Sequence, residues 1–305
     1  MGIQLNLAAA LREPGDSHRY RVCGLQLCTD YPLPCLAPFG SPGGASDDAP
    51  ARVHDAALSA SGMDRRETTG MVGGRERRVS LEAVPEGAFI DIEGFGRYSL
   101  SADGSIITLL ELVPPPEIEL VEECTLGAPL IVGLALRECW FLHAATVVVD
   151  GRAVVFAGPS GSGKSTLAAR LDHEPGCRRI ADDLLGLRLS DGIVGAWPAY
   201  PQLKLPHASQ PRLPTAAVGA IYILRPAAPS ERFRIRRIEK SEKLIALVRH
   251  SVSARLFPAG VLSRHLEFCR AAALVEMTEI VYPRTERALE EIVSLVANPG
   301  PAECR

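Results

Sequence analysis

The stretch Val154–Leu171, VVFAGPSGSGKSTLAARL, constrains this chain more than any other. A β-branched apolar run leads into a glycine-rich loop, and the loop leads into apolar residues at helical spacing. Gly158, Gly163, Lys164 and Ser165 fill the pattern G-x-x-x-x-G-K-[ST]. The physical basis of that pattern is anion binding. Backbone N–H groups of the loop turn inward toward phosphate oxygens, and the positive end of the following helix assists them. Pro159, Ser160, Gly161 and Ser162 lie between the two glycines, and the small residues among them let the backbone close around a ligand. Lys164 is expected at the terminal phosphates and Ser165 at Mg²⁺, with Thr166 completing the nucleotide-binding set. A chance glycine turn before a helix is the plain alternative, but the residues and the strand–loop–helix context point the same way. ATP and Mg²⁺ are therefore the expected cofactors.

A second cluster follows closely, in RRIADDLLGL. A short apolar run ends at the adjacent carboxylates Asp182 and Asp183. Beside a phosphate loop, one carboxylate can hold Mg²⁺ and the other can take a proton from an attacking hydroxyl. A helix cap or solvated turn would explain the same pair in isolation. His143, in FLHAATVVVDG, lies shortly before the hairpin that delivers the loop. A histidine beside an apolar segment is usually a satisfied core residue.

The remaining chain organises around this region. Residues 20–36 alternate and read as a strand, and residues 38–50, PFGSPGGASDDAP, read as a surface loop. RRVSLEAV and GAFIDIEGFGRYSLSADGSIITLLEL are short alternating segments broken by turn residues, a pattern of antiparallel hairpins, with Ala102–Ser105 the clearest turn. VPPPEI at 113–118 punctuates the chain. From Leu120 the apolar spacing becomes helical, with a break at Pro129. TVVVDGRAVVFAG then reads as a hairpin turning at Asp150-Gly151. Further strands follow, then helices in SEKLIALVRHSV and VLSRHLEFCRAAALVEM, and a last strand and closing helix in TEIVYPRTERALEEIVSLVANP. The expected fold class is α/β, with a β-rich N-terminal domain over residues 1–120 and a phosphate-loop domain over residues 121–305.

Composition excludes several classes. A formal charge of −3 with both signs interspersed gives no bulk attraction to nucleic acid. No long uncharged apolar run indicates a membrane span, and MGIQLNLAAALREPGDSHRY has no signal-peptide pattern. The eight cysteines are scattered without C-x-x-C pairs, which fits reduced thiols in the cytoplasm better than a metal cluster.

Taken together, LHAA, a two-stranded turn, GPSGSGKST and then ADD resemble the catalytic domain of HPr kinase/phosphorylase. More closely, they resemble the HPr-kinase-like serine kinases found with lasso-peptide biosynthesis. The resemblance covers roughly residues 140–205 and implies a P-loop kinase domain of the HPr kinase C-terminal type. It implies Asp183 as general base, Lys164 and His143 as stabilisers of charge on the transferring phosphoryl group, and Ser165 with Asp182 at the metal. It also implies a catalytic arginine further on, for which Arg249, Arg255 and Arg264 are candidates. Where the family carries another acidic metal ligand, this chain has Gln202 in YPQLKLPHAS, which argues against phosphorolysis.

Three readings stay open on the residues alone. The first is an ATP-dependent serine kinase acting on a precursor peptide or small protein, HPr included. The second is a nucleotide-binding regulatory module that transfers nothing. The third, an ATPase coupled to motion, is disfavoured because RRIADD is short and close to the loop. The oligomeric state is not readable from the sequence.

Overall fold

The computed structural model describes residues 2–11, 16–40, 64–113, 117–198, 200–201, 215–228 and 230–297. Most of the 38–50 segment, part of 113–118, and Gln202 with its neighbours lie outside the described residues. The chain forms two compact units. One comprises Met1–Phe141 with Ser253–Glu267, the other Leu142–Val252 with Phe268–Arg305. The change from strand to helix near residue 120 thus falls inside the first unit.

The first unit begins with β1 (Ile3–Asn6), the short helix α1 (Ala8–Leu11), β2 (His18–Val22) and β3 (Leu25–Thr29). The single strand expected over 20–36 is two strands and a 3-10 helix, Pro34–Phe39. The chain reverses at Cys23 and Gly24, both in the left-handed region at φ 48° and 77°. There follow β4 (Asp64–Val72), β5 (Arg75–Val84), β6 (Gly87–Ile92), β7 (Gly96–Ser101) and β8 (Ile106–Leu112). These make an eight-stranded sheet in the order β2-β3-β1-β8-β7-β6-β5-β4. The run from β4 to β8 is an antiparallel meander, whereas β1 lies parallel to both β3 and β8.

Helices α2 (Ile118–Leu126) and α3 (Ala128–Ala135) follow. Gly127 separates them, and Pro129 sits in the first turn of α3, where a missing N–H costs nothing. Buried polar groups here have partners: Glu122 accepts the backbone N–H of Cys35 at 2.7 Å, and the Tyr98 and Thr125 hydroxyls are bonded at 2.8 Å.

The second unit is built on the hairpin of β9 (Trp140–Val149) and β10 (Arg152–Ala157), which leads into α4 (Lys164–Leu171). Strands β11 (Cys177–Ser190), β12 (Ile193–Trp197), β13 (Ala216–Ala227) and β14 (Arg234–Arg237) come next, then α5 (Lys240–His250), α6 (Ala259–Ala272), whose residues through Glu267 belong to the first unit, β15 (Glu276–Pro283) and α7 (Glu286–Ala297). The helical pattern read through Met277 stops earlier: α6 ends at Ala272, and Met277 instead pairs with Ile221 in a parallel register.

The seven-stranded sheet runs β10-β9-β11-β12-β13-β15-β14, and β10 also pairs with β13. β10, β13 and β15 are mutually parallel. Parallel strands are normally covered on their faces, so they read as near-continuous apolar runs, and VVFA is one. Phe156, Leu224 and Ile280 from these strands pack with Leu167, Ala168 and Leu171 of α4 and with Ala288, Ile292 and Val296 of α7. The α7 residues recur every four positions, one stripe of the helix. That core holds α4, and with it the loop Gly158–Gly163, against the sheet.

No helix among the described residues is long and apolar enough to cross a membrane. Each described cysteine is a free thiol, and Cys23, Cys35, Cys124, Cys139 and Cys269 are buried.

His265 sits between the Trp140 and Phe257 rings, with centroids at 5.2 and 5.5 Å, and burial pushes its imidazole down to about 4 from 6.5. Between those two values the unfolded chain holds a proton that the folded chain does not, so stability falls as pH falls through the window. His250 titrates in the same sense. His265→Leu is expected to flatten, though not abolish, the acid limb of unfolding free energy between pH 6.5 and 4, measured by urea titration at fixed pH. An unchanged limb would refute the assignment.

Candidate functional site

The loop between β10 and α4 turns through backbone conformations that side chains rarely adopt. Gly158, Gly161 and Gly163 have φ of 155°, 72° and 84°. Gly163 needs its missing side chain twice over, because a Cβ there would also stand 2.5 Å from the Tyr282 hydroxyl oxygen. That hydroxyl donates to the Ser162 carbonyl oxygen, which pins the loop to the end of β15. Burial raises the Tyr282 phenol above its usual value, so it remains a donor.

Within the loop, Pro159, Ser160 and Gly161 are exposed while Ser162 is 1% exposed. The buried Ser162 Oγ has no hydrogen-bond partner among the described residues. A Cβ on Gly158 would meet that same oxygen at 2.7 Å. A tight cradle with an unsatisfied donor fits an anionic guest. Lys164 is 6% exposed, and its ammonium donates to the carbonyls of Gly158 and Pro159, each at 3.0 Å. These bonds tie the lysine at the start of α4 back to the loop.

Two carboxylate pairs complete the geometry. Ser165 Oγ donates to Asp182 Oδ1 at 2.6 Å, and Arg179 lies 3.6 Å from Asp182 Oδ2. Ser165 and Asp182 supply oxygen donors only, the donor chemistry that suits Mg²⁺ beside phosphate. Next door, Asp183 Oδ1 is 3.3 Å from His143 Nε2. Asp183 has φ 91°, an uncommon conformation for a residue with a side chain, and it occurs inside β11. Strain of this kind persists only where surrounding structure enforces it. Adjacent strand residues ordinarily point to opposite faces. Here Asp182 engages α4 while Asp183 engages β9. Side-chain exposures of 41% for His143 and 33% for Asp183 leave that pair open to a substrate.

His250, the last residue of α5, belongs to this cluster and has no signal in the sequence motifs. An isolated antiparallel bridge pairs Leu142 with Ser251, which sets His250 opposite His143. Burial first, then the positive charge of Lys164 and Arg249 and the neighbouring His143, push the His250 imidazole down to about 4. Of the arginines considered from sequence, Arg249 neighbours His250, whereas Arg255 and Arg264 belong to the other compact unit. An open depression of about 440 Å³ is lined by Ser165, Thr166, Ala169, Arg170 and His173, beginning where the loop ends. Among the described residues no group of three His, Cys, Asp or Glu side chains forms a metal site.

No protein-family model matches the chain, and no curated protein matches it. Among solved structures, the Hpr(Ser) kinase/phosphatase from Coxiella burnetii aligns with 52% of this chain and 95% of its own, at 14% identity and a TM-score of 0.30. A TM-score of that size is too low to assign a fold.

Gly163→Ala is expected to destabilise the protein through both the left-handed backbone and the contact with Tyr282. Removing that hydroxyl by Tyr282→Phe relieves only the contact. In the double-mutant cycle the two changes should therefore couple favourably by about 0.5–3 kcal/mol, read from denaturant midpoints. Strict additivity would show that the hydroxyl does not close the loop.

Proposed function

We propose that the chain is an ATP- and Mg²⁺-dependent kinase that transfers a phosphoryl group to a serine hydroxyl on a peptide or small protein. The observation that carries this reading is the His143–Asp183 pair, open to solvent and one residue from the Asp182 that binds the first turn of the loop helix. A binding module needs the cradle alone. A kinase also needs a base placed where an acceptor hydroxyl can approach.

In this mechanism the loop amides and Lys164 bind and orient the triphosphate. Ser165 and Asp182 are the residues that would hold Mg²⁺, which when bound offsets charge on the phosphate oxygens. Asp183 accepts the proton of the serine hydroxyl as its oxygen bonds to the terminal phosphorus. The bond to the bridging oxygen breaks and ADP departs. His143, 3.3 Å from Asp183, orients the carboxylate and faces the charge that moves through the transfer. Exposure of the pair favours an extended polypeptide acceptor, which can lay a serine across it. A ribosomally made precursor peptide of the lasso type is the acceptor we favour, and HPr is the alternative. The position of Gln202, outside the described residues, favours the forward direction only.

Mass spectrometry of candidate peptides incubated with the protein, ATP and Mg²⁺ tests the reading. The expected result is one added phosphate on a peptide serine. Phosphorylation of a small-molecule alcohol with no polypeptide modified would overturn it. Asp183→Asn keeps the shape but cannot take the proton, so transfer should fall about 10²–10⁴-fold while ATP binding survives. Lys164→Ala should lose turnover together with affinity for the triphosphate. Wild-type transfer in Lys164→Ala would dismiss the phosphate-loop assignment.

A further inference from the structure

The phosphate loop faces more nitrogen than the motif accounts for. Lys164 comes from α4 and His143 from β9, and the Leu142–Ser251 bridge carries the end of α5 to the same place. In an antiparallel bridge the residues flanking each partner on opposite sides also face one another, so His250 stands across from His143. The α5 terminus is fixed there locally. Ser251 Oγ donates to Leu247 O at 2.8 Å, and the Ser251 N–H donates to Val248 O. The helix itself starts with a reciprocal capping box between Glu239 and Glu242. Both ends of α5 are therefore anchored, and the position of its last side chain follows from the fold.

A histidine placed for packing alone would gain nothing from neighbours of its own sign. The groups that act on His250 are Lys164 from α4, Arg249 from its own helix and His143 from β9, and behind His143 lies the Asp183 carboxylate of β11. All the direct influences push its proton away. Such an arrangement is poorly matched to itself and well matched to an anion. A terminal phosphate group would give Lys164, His143 and His250 a common acceptor and would reverse the sign of the field at His250.

The geometry points to His250 as a third side-chain contact of the terminal phosphate, beside Lys164 and His143, an inference that rests on the nucleotide reading above. An imidazole N–H donates to a phosphate oxygen, and a proton taken from solvent strengthens the contact. The contact belongs to the terminal phosphate, so it distinguishes ATP from ADP. It occupies the region where a catalytic arginine was expected from sequence, with a group whose charge is conditional instead of permanent.

The test is calorimetric titration of the full chain with Mg²⁺ and either ADP or a non-hydrolysable ATP analogue, at about pH 8 and about pH 6. For the wild-type protein the analogue should bind more tightly at the lower pH, and ADP should change less. His250→Ala should weaken the analogue by about 10- to 100-fold, the range for a charge-assisted hydrogen bond, and ADP by far less. His250→Gln keeps an N–H donor without a titrating group, so it should recover part of the affinity and lose the pH dependence. Equal losses for ADP and the analogue, or a wild-type pH dependence in His250→Gln, would overturn the assignment. Should His250→Ala fail to fold, the pH dependence of His250→Gln decides alone. Tight wild-type binding with no effect of either variant sinks this inference and leaves the nucleotide reading standing. A wild-type protein that binds neither nucleotide removes both.

Discussion

The 2.6 Å hydrogen bond from Ser165 Oγ to Asp182 Oδ1 is the contact on which the candidate site depends. It joins the first turn of α4 to the middle of β11, two elements that otherwise meet through packing. Asp182 is 4% exposed, and burying a carboxylate without partners is costly. Its partners are therefore specific: the serine hydroxyl on one oxygen and Arg179 near the other. The next residue, Asp183, meets His143 at 3.3 Å from a left-handed backbone at φ 91°.

The loop obeys a parallel logic. Its shape is held from outside by Tyr282, which donates to Ser162 O, and from inside by Lys164, which spans to the carbonyls of Gly158 and Pro159. A loop braced by contacts of its own gives up less conformational entropy on binding. The same preorganisation concentrates positive charge. Lys164, Arg249 and His143 all act on His250, and this local field is far from the net charge of −3 carried by the chain as a whole. The chemistry of the site is set by what is desolvated and adjacent, and bulk charge says little about it.

Among the described residues, the first unit offers no comparable arrangement of reactive groups. Several of its buried polar side chains are paired in ways that serve the fold. Glu122 receives the Cys35 N–H, and burial with that neighbouring carboxylate drives the Cys35 thiol well above its usual range, so it stays protonated. Burial likewise raises the Tyr98 phenol, whose partner is Thr125. The Cys35 thiol and the Tyr98 phenol stay protonated over any ordinary pH, which suits a structural core.

The sequence by itself determined the features that are local. Glycines at 158 and 163 with Lys164 and Ser165 specify a left-handed loop before a helix, because glycine adopts that backbone without the steric cost a side chain brings. Asp150-Gly151 specifies the β9–β10 hairpin, and the four-residue spacing of Ala288, Ile292 and Val296 specifies a helix with one buried stripe. Pattern alone failed where an element's identity is settled by its partner. The segment after Ala272 continues a helical spacing, yet it becomes β15 because an open edge of β13 is available to pair with it. The same limit governs the site. Lys164, Ser165, His143, Asp182 and Asp183 were legible as candidates from motif and proximity in the chain. Which carboxylate meets the serine and which meets the histidine was decided by how β11 lies against α4 and β9. His250 was passed over for the arginine beside it, because only a bridge between Leu142 and Ser251, residues far apart in sequence, brings it to His143. Local sequence sets φ, ψ and periodicity, whereas distances between side chains on different strands and helices follow from long-range pairing that no local pattern encodes.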